Sequence, residues 1–328
     1  MNRDIARSRL TGCYVTVPTP FRELDLAVDI PALRRHVRFL IDNGMTTGNG
    51  VLLVGGGAGD FSTLTFDERV TAAAAVVEEA NHEVPVVMGV QTTSTLELTR
   101  LTKAAGDLGA EFVQVSPPFY FVHTEEDFYE YVLAAAEAAD VGLIIYNTFW
   151  TSPSLSMDVI DRLATVANVT GLKWSTPDTG FMEFERVVCR YADRLSIIDN
   201  QLHFVASHML GIRAIEAHVS NYWPEWGIRV WSLLEKGDYV EAQNELVRVA
   251  MPFMALWAEM ERLTGGDGYL DKLCMELVGL GSSRCRPPTR DLRDQFRHKA
   301  YAMLIETGVP RLIDRPSAGL TGSGAESG

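Results

Sequence analysis

Short apolar runs alternate with longer amphipathic stretches over the first two thirds of the chain. A short apolar run with polar boundaries is typical of a strand that is buried on both faces of a parallel sheet. Amphipathic segments such as FDERVTAAAAVVEEA and TLELTRLTKAAGDLG lie between the runs and predict helices. The strand-like runs are CYVTV (13–17), GVLLVG (50–55), VPVVMGV (84–90), FVQVS (112–116), GLIIYN (142–147), VTGLKW (169–174), LSIID (195–199) and AIEAHVS (214–220).

Eight strand–helix units predict an α/β fold, the (β/α)8 or TIM barrel. A doubly wound parallel sheet is the alternative, although it normally has fewer strands. We expect the barrel to occupy residues 1–236, because the alternation ends there. The segments that follow have helical patterns and predict a C-terminal helical extension over 237–310. The Gly- and Ser-rich end, 311–328, predicts a disordered tail.

The composition is that of an acidic globular protein. The chain has 328 residues, of which 47% are hydrophobic, and its formal net charge is −14. This charge argues against binding to nucleic acid or to an anionic membrane surface, since both are negatively charged. We find no apolar run long enough to span a membrane and no apolar signal segment near the N-terminus. The four cysteines are scattered without a CxxC pair, so we expect reduced thiols and a cytoplasmic location.

Active sites of such barrels form at the carboxyl ends of the strands, and two of these ends carry unusual side chains. Lys173 comes near the end of the sixth run, and Tyr146 near the end of the fifth. A lysine enclosed by apolar walls is less stable in its charged form, and a neutral amine can attack a ketone to form a Schiff base. A phenol on the neighbouring strand can then carry protons. The structural alternative is a lysine that reaches solvent and a tyrosine that bonds to the backbone.

Further polar candidates lie at other strand ends. Within AIEAHVS, alternation places Glu216 and His218 on one face of the predicted strand. If that face points into the barrel, both lie near the pocket and we expect them to bind substrate; if it points outward, they meet the helices. Asn147 and Ser175 follow the fifth and sixth runs, so we expect them to bind substrate. No cluster of carboxylates and histidines resembles a metal site.

Three segments, VTGLKW, GLIIYN and GGAGDFSTLT, together resemble the dihydrodipicolinate synthase and N-acetylneuraminate lyase family of Schiff-base-forming barrels. The resemblance covers approximately residues 10–300. It implies that Lys173 forms the Schiff base and that Tyr146 is the catalytic tyrosine. It also implies that Tyr120, within VSPPFYF, is the tyrosine that a neighbouring subunit adds to a proton relay. The same resemblance implies a homo-oligomer, either a tetramer or a dimer. It also implies that no metal or organic cofactor is needed.

The turn after the second strand departs from the family pattern. The family has GTTGE or GSTGE there, and hydroxyls and backbone N–H groups of this turn hold the carboxylate of a 2-oxo acid. Here the turn is GGAGD, so only the backbone N–H groups of Gly57, Ala58 and Gly59 remain to bind that anion. This turn and NYWP (221–224) are closer to the ketodeoxyglucarate dehydratases of the family. VGGGAGD lacks the spacing of a nucleotide-binding loop.

The loop after the fifth strand favours an apolar partner molecule. Dihydrodipicolinate synthases carry GRT in this loop, with an arginine for the carboxylate of the aldehyde partner, whereas this chain has NTFWTSP. Its Phe149 and Trp150 make the mouth bulky, which argues against sialic acid lyase activity as well. We expect an aromatic wall formed by Trp150, Trp174, Tyr222 and Trp223.

The sequence therefore predicts a class I lyase that acts on a small 2-oxo acid, of the aldolase or hydratase-aldolase type. Loss of water and cleavage of a carbon–carbon bond use the same iminium, so a 2-oxo sugar acid dehydratase is an alternative. A barrel that binds a metabolite without catalysis is another, because the turn for the carboxylate is altered. The retained lysine and tyrosine argue against this last interpretation.

Overall fold

The structure, a computed structural model, describes residues 3–177 and 182–313. Its centre is a closed barrel in which eight parallel strands pair in chain order and the first strand pairs with the eighth. The predicted (β/α)8 barrel is therefore confirmed. The strands are β1 (Gly12–Val17), β2 (Gly50–Val54), β3 (Val86–Gly89), β4 (Phe112–Val115), β5 (Gly142–Asn147), β6 (Val169–Trp174), β7 (Ser196–Asp199) and β8 (Ala214–Glu216).

Helices follow the strands and cover the outside of the barrel. Two of them begin with a capping box, in which the hydroxyl of Thr65 or Thr124 accepts a backbone N–H of the first turn. The helices are α1 (Arg3–Arg9), α2 (Ile30–Asp42), α3 (Phe66–Ala80), α4 (Thr95–Leu108), α5 (Glu125–Ala138), α6 (Met157–Leu163), α7 (Glu183–Tyr191), α8 (Phe204–Leu210), α9 (Pro224–Lys236), α10 (Tyr239–Glu245), α11 (Met251–Glu261), α12 (Tyr269–Leu277) and α13 (Arg293–Thr307). Short 3₁₀ turns lie at Phe61–Thr63 and His218–Asn221, and a π-helical turn at Leu246–Ala250 joins α10 to α11.

The barrel has an apolar interior because alternate residues of each strand point inward. The interior cluster is Tyr14, Val51, Leu53, Val87, Phe112, Ile144, Ile198 and Ala214, together with Ala6 and Leu10 from the N-terminal segment. Helix α1 and the residue after it thus close the end of the barrel at which the strands begin, and the sequence pattern did not indicate this helix. The residues between the inward ones join the helices in a larger outer cluster.

The C-terminal helical extension is formed by α10 to α13, and no strand follows β8 within the described residues. Helix α9, the last of the barrel, ends at Lys236. Most of the predicted tail, residues 314–328, lies outside the described residues. A search of the described helices found none that is both long enough and apolar enough to cross a membrane.

The eighth strand is shorter than the sequence pattern predicts. It ends at Glu216, and His218–Asn221 forms a 3₁₀ turn instead of continuing the strand. The side chain of Asn221 stabilises this turn, because its Nδ2 donates a hydrogen bond to the backbone O of Thr16 at 3.0 Å. The prediction that Glu216 and His218 share one strand face is therefore wrong: regular alternation stops where the strand stops.

Candidate active site

Lys173 lies inside the barrel near the carboxyl end of β6, and its side chain is 4% exposed. In the β5–β6 ladder Tyr146 pairs with it, so both side chains point towards the barrel axis. The Lys173 Nζ atom lies 4.6 Å from the ring centre of Tyr146 and 5.1 Å from that of Tyr14 on β1. The structure thus brings together the amine and the phenol that the strand ends indicated.

A carboxylate completes the surroundings of this amine. Glu216 Oε2, on β8, lies 2.6 Å from Lys173 Nζ, and the Glu216 side chain is 5% exposed. The other carboxylate oxygen accepts a hydrogen bond from Thr16 Oγ1 at 2.7 Å, which fixes its orientation. The predicted enclosure of the lysine by apolar walls is therefore wrong in part. Instead of apolar walls alone, the amine has a neighbour that can take its proton.

The hydroxyl of Tyr146 belongs to a polar network at the ends of β5, β6 and β7. Asn200 Nδ2 lies 3.1 Å from Tyr146 Oη and 2.5 Å from Ser175 Oγ, and Ser175 Oγ donates to the backbone O of Asn200 at 3.2 Å. Burial, together with the negative charges of Glu216 and Asp267, raises the pKa of Tyr146 well above its ordinary value. The phenol therefore keeps its proton at neutral pH and can donate it.

The turn after β2 leaves two backbone donors free. Gly59 N donates to Gly56 O at 3.1 Å, so this N–H closes the turn, and Thr19 Oγ1 donates to Gly59 O at 2.7 Å. In the described part of the chain, no acceptor is bonded to the N–H of Gly57 or Ala58. Of the three residues predicted to bind a carboxylate through their N–H groups, Gly57 and Ala58 keep a free donor. The prediction is wrong for Gly59, because its N–H already has an acceptor.

Asn147 ends β5 but does not face the amine. It alternates with Tyr146 and is fully buried on the other side of the sheet. Its Nδ2 donates to Ser175 O at 2.8 Å, and its Oδ1 accepts from Leu155 N at 3.0 Å. The prediction that Asn147 binds substrate is therefore wrong. Both ends of its amide hold the backbone of the loops after β5 and β6.

One member of the predicted aromatic wall, Trp150, reaches the site. Its ring centre lies 5.8 Å from that of Tyr146 in an edge-to-face contact, and the residue is 54% exposed. Trp174 follows Lys173 on β6 and so points outward, where it is fully buried under the helices. Tyr222 and Trp223 also pack in the outer cluster. The prediction of an aromatic wall is thus wrong for Trp174, Tyr222 and Trp223. Strand alternation and the turn after β8 direct these side chains away from the mouth of the barrel.

Tyr120 lies on the loop between β4 and α5 and is 87% exposed. Its ring centre is 4.8 Å from that of Phe121, which is also exposed. None of its described contacts is with Lys173 or Tyr146. A single chain therefore does not bring Tyr120 into its own site.

His218 points towards the helical extension rather than towards Lys173. Its Nδ1 lies 3.2 Å from Asp271 Oδ1, and its ring centre lies 4.8 Å from that of Trp257. Burial by itself lowers the pKa of this imidazole, but the carboxylates of Asp271, Glu216 and Asp267 together outweigh burial and raise the pKa to about 9. The described polar contact of this imidazole is thus with Asp271, and substrate binding by His218 stays a prediction.

The extension contributes two carboxyl groups that the sequence analysis missed. Asp271 is fully buried, whereas Asp267 is half-buried, and burial raises the pKa of Asp267 to about 6. The segment DGYLD carries a signal, since a spacing of four residues places both acids on one side of a helical turn. No pattern in the segment indicates which side meets the barrel. Across residues 3–177 and 182–313, no three or more His, Cys, Asp or Glu residues are grouped to hold a metal ion.

The fold and the arrangement of amine, phenol and carboxylate define a class of protein, the barrel enzymes that are equipped for carbonyl chemistry. The chain belongs to the dihydrodipicolinate synthetase family, whose model matches residues 9–307. It is accordingly a class I lyase of the aldolase type.

Curated relatives match along almost the whole chain. A 4-hydroxy-tetrahydrodipicolinate synthase of Syntrophus aciditrophicus is 30% identical over 300 residues, which cover 91% of this chain and 98% of the relative. An uncharacterized DapA-like lyase of Thermococcus onnurineus is 28% identical over 305 residues, which cover 90% of this chain and 99% of the relative. These identities place the chain among distant members of the family.

Solved structures of the family share the fold. Dihydrodipicolinate synthase from Acinetobacter baumannii, in complex with pyruvate, superposes with a TM-score of 0.80 at 24% identity, and 92% of this chain and 99% of the other are covered. N-acetylneuraminate lyase from Fusobacterium nucleatum gives a TM-score of 0.78 at 18% identity, and 91% of this chain and 99% of the other are covered. At these identities the likeness concerns the barrel and its helices, not the substrate.

Proposed function

We propose that the protein is a lyase that binds a small 2-oxo acid as an imine on Lys173 and then cleaves a carbon–carbon bond in it. The observation that carries this proposal is the position of the Lys173 amine. It is buried at the carboxyl end of the barrel, 2.6 Å from a carboxylate and 4.6 Å from the ring of Tyr146. A nucleophile, a base and a proton donor are thus adjacent, as imine chemistry requires.

Imine formation begins when Glu216 takes a proton from the ammonium form of Lys173. The free amine attacks the C2 carbonyl carbon, and a proton moves from nitrogen to the new alkoxide, which gives a carbinolamine. Tyr146 lies beside this centre and can relay that proton. Glu216 then returns the proton it took, and the hydroxyl leaves as water. The iminium that remains draws electrons from the neighbouring carbon.

Cleavage uses the same groups in a second cycle. A base, Glu216 directly or through Tyr146, removes the proton from a hydroxyl on C4. The C3–C4 bond breaks, its electron pair forms the enamine with C2, and C4 leaves as an aldehyde. The protonated base returns the proton to C3, and water hydrolyses the imine to release the shortened 2-oxo acid. No redox change occurs.

The substrate has a carboxylate end and an apolar end in this proposal. The free N–H groups of Gly57 and Ala58 hold the carboxylate. Trp150, which packs edge-on against Tyr146, supports an aromatic or apolar group at the leaving end. Together these features favour the hydratase-aldolase type, in which the aldehyde product carries an apolar substituent.

A 2-oxo sugar acid dehydratase is the second candidate, and the turn after β2 favours it. Gly56, Gly57 and Gly59 resemble the GGTGE turn of ketodeoxyglucarate dehydratases, although Ala58 replaces its threonine. In the dehydration step the enamine expels a hydroxyl as water, and the C3–C4 bond stays intact. Product analysis separates the two candidates, because cleavage at C3–C4 gives an aldehyde and a shorter 2-oxo acid as two fragments, whereas dehydration leaves C3 and C4 in one molecule.

We also propose that the enzyme works as a homo-oligomer in which Tyr120 of one copy serves the site of another. The high exposure of Tyr120 and of its neighbours Phe121 and Val122 supports this arrangement, since an apolar loop tip of this kind suits a contact between copies.

The test of the lyase proposal is reduction with borohydride in the presence of pyruvate and of larger, aryl-substituted 2-oxo acids. We expect a stable adduct on the peptide that contains Lys173, and no adduct in Lys173→Arg. Lys103→Arg is the matched control, because Lys103 is exposed and pairs with Asp107 on the surface. An unmodified Lys173 across the whole panel would instead support a barrel that binds a metabolite without catalysis.

A further inference from the structure

A carboxyl group from the extension lies against the turn after β2. A side chain at Gly57 would place its Cβ 2.5 Å from Asp267 Oδ2. The next residue, Gly268, has a φ of +70°, and a Cβ there would lie 2.4 Å from Ala58 O, so only glycine allows this approach. Gly57 is exposed and Asp267 is half-buried, so both border accessible space. Asp267 therefore fills the room that a side chain at position 57 would occupy.

This arrangement creates a conflict for an anionic substrate. The proposed function places the carboxylate of a 2-oxo acid on the N–H groups of Gly57 and Ala58, next to Asp267. Two ionised carboxylates so close together repel each other, and such pairs hold one proton between them. A neutral ketone has no carboxylate and does not meet this repulsion.

The charges around Asp267 do not remove the repulsion. Among the described residues, the titratable groups with the largest electrostatic effects on or from Asp267 include Glu216, His218, Asp271, Tyr146 and Tyr269. His218 is a cation, but Asp271 lies 3.2 Å from its Nδ1 and neutralises it. Lys173 is paired in the same way with Glu216, at 2.6 Å. Neither of these two cations is left to balance a substrate carboxylate beside Asp267.

We infer that Asp267 determines which carbonyl compounds the site accepts: a 2-oxo acid binds together with one proton, which Asp267 and the substrate carboxylate share. In this state the protonated Asp267 donates a hydrogen bond to the substrate carboxylate, and the bond is a strong, charge-assisted one. Neutral ketones bind without the extra proton. The inference rests on the proposed function, because it needs an imine at Lys173 and a carboxylate at the turn.

The ionisation of Asp267 agrees with this role. Burial raises its pKa to about 6, and the positive charge of His218 only partly offsets the effect. Below this pH the group already carries the proton that a 2-oxo acid needs. Above it, the proton has to be taken up from solution on binding. The half-saturating concentration of a 2-oxo acid therefore rises about tenfold for each pH unit above the pKa.

The experiment compares pyruvate with hydroxyacetone, a neutral ketone of similar size, by borohydride trapping at Lys173 from about pH 5 to about pH 8.5. The quantity compared is the ratio of the half-saturating concentration of pyruvate to that of hydroxyacetone. Both ketones react with the same amine, so any effect of pH on Lys173 and Glu216 is common to both and drops out of this ratio. In the unchanged protein we expect this ratio to rise about tenfold per pH unit above the pKa of Asp267. In Asp267→Asn we expect this ratio to stay constant across the same pH range. The variant can keep its fold, because the amide oxygen can still accept the hydrogen bond from Gly268 N that Asp267 Oδ1 accepts at 2.9 Å.

Glu261→Gln is the matched control, because it removes an exposed carboxylate of the same extension. In this variant the ratio of half-saturating concentrations should still rise with pH as in the unchanged protein. A level ratio in the unchanged protein, or an equal rise in Asp267→Asn, would overturn the role of Asp267 and leave the lyase proposal standing. The absence of any Lys173 adduct with both ketones would overturn the lyase proposal itself.

Discussion

Among single residues, the pair formed by Lys173 and Glu216 has the largest consequence for the chemistry. Two buried ions are stable only as partners, and removal of one leaves the other uncompensated. In the proposed mechanism the carboxylate also accepts the proton that the amine gives up. Thr16 holds one oxygen of Glu216, so the other is directed at the amine. The proton transfer thus depends on geometry that three different strands supply.

Glu216→Gln removes the proton acceptor but keeps the hydrogen bond from Thr16, since an amide oxygen can accept it. We expect imine formation with pyruvate to slow by about 10²–10⁴-fold at neutral pH, which is the usual contribution of a positioned base. The rate should recover as the pH rises, because hydroxide then takes the proton instead. Single-turnover trapping across pH measures both effects.

Glu235→Gln serves as the control for this change, because Glu235 is an exposed carboxylate that pairs with His208 on the surface. It should trap pyruvate at the unchanged rate. If Glu216→Gln also traps at that rate at neutral pH, Glu216 is not the base.

At the scale of elements, helix α12 and the turn before it complete the site from outside the barrel. Asp267 and Gly268 contact the turn after β2, and Lys272 Nζ lies 2.5 Å from Asp60 Oδ2 at the end of that turn. Both partners of this ion pair are buried, with side chains 1% and 7% exposed. Burial raises the pKa of Asp60, and the charge of Lys272 opposes the rise. The extension therefore positions the turn whose N–H groups we propose to bind the substrate carboxylate.

Lys272→Met leaves the Asp60 carboxylate buried without its partner. We expect the free energy of unfolding to fall by about 3–5 kcal/mol, as for other broken buried pairs. The double variant Asp60→Asn with Lys272→Met should lose much less, because no uncompensated charge remains. Urea unfolding of the full chain measures the difference.

Lys299→Met is the control for this prediction, because its partner Glu259 lies at the surface and both side chains are more than one third exposed. We expect Lys299→Met to lower the free energy of unfolding by less than about 1 kcal/mol. Equal losses in Lys272→Met and the double variant would show that the ion pair does not hold the turn.

In the molecule as a whole, the closed barrel contains the amine site but leaves an apolar loop tip outside. Tyr120, Phe121 and Val122 are 87%, 70% and 78% exposed, between β4 and α5. Tyr120 also has a φ of +88°, an unusual backbone conformation for a bulky residue. An apolar tip of this kind is normally covered by another molecule. These features support the proposal that copies of the chain associate and exchange Tyr120.

Mixed oligomers test this exchange. Tyr120→Phe and Tyr146→Phe are each expected to lose most of the activity, since each lacks a hydroxyl of the relay. When the two variants are produced together, a Tyr120→Phe site that receives Tyr120 from its neighbour is complete, so about a quarter of the activity should return in random dimers. Light scattering gives the oligomeric state. A monomer at micromolar concentration that retains full activity would contradict the proposal.

The order of the elements and the two side chains that we propose to react could be predicted from the sequence. Strands of a parallel barrel are buried on both faces, so each one leaves an apolar run that stands out between amphipathic helices. Lys173 and Tyr146 were found because a polar side chain at the end of such a run is unusual. Their pairing followed from the succession of strands, since β5 and β6 are neighbours in the barrel.

Contacts between distant segments were decided only by the tertiary structure. Glu216 meets Lys173 because it shares the inward face of β8 with Ala214, whereas His218 lies beyond the end of the strand, in a turn that Asn221 bonds to β1. Asp267 reaches Gly57 through the packing of α12 on the barrel. By itself the sequence determined the barrel, its family and the amine, because these leave local, repeating patterns. The contacts of Glu216 with Lys173 and of Asp267 with Gly57 could not be predicted from local patterns, because long-range packing decides which side of each segment meets the barrel interior.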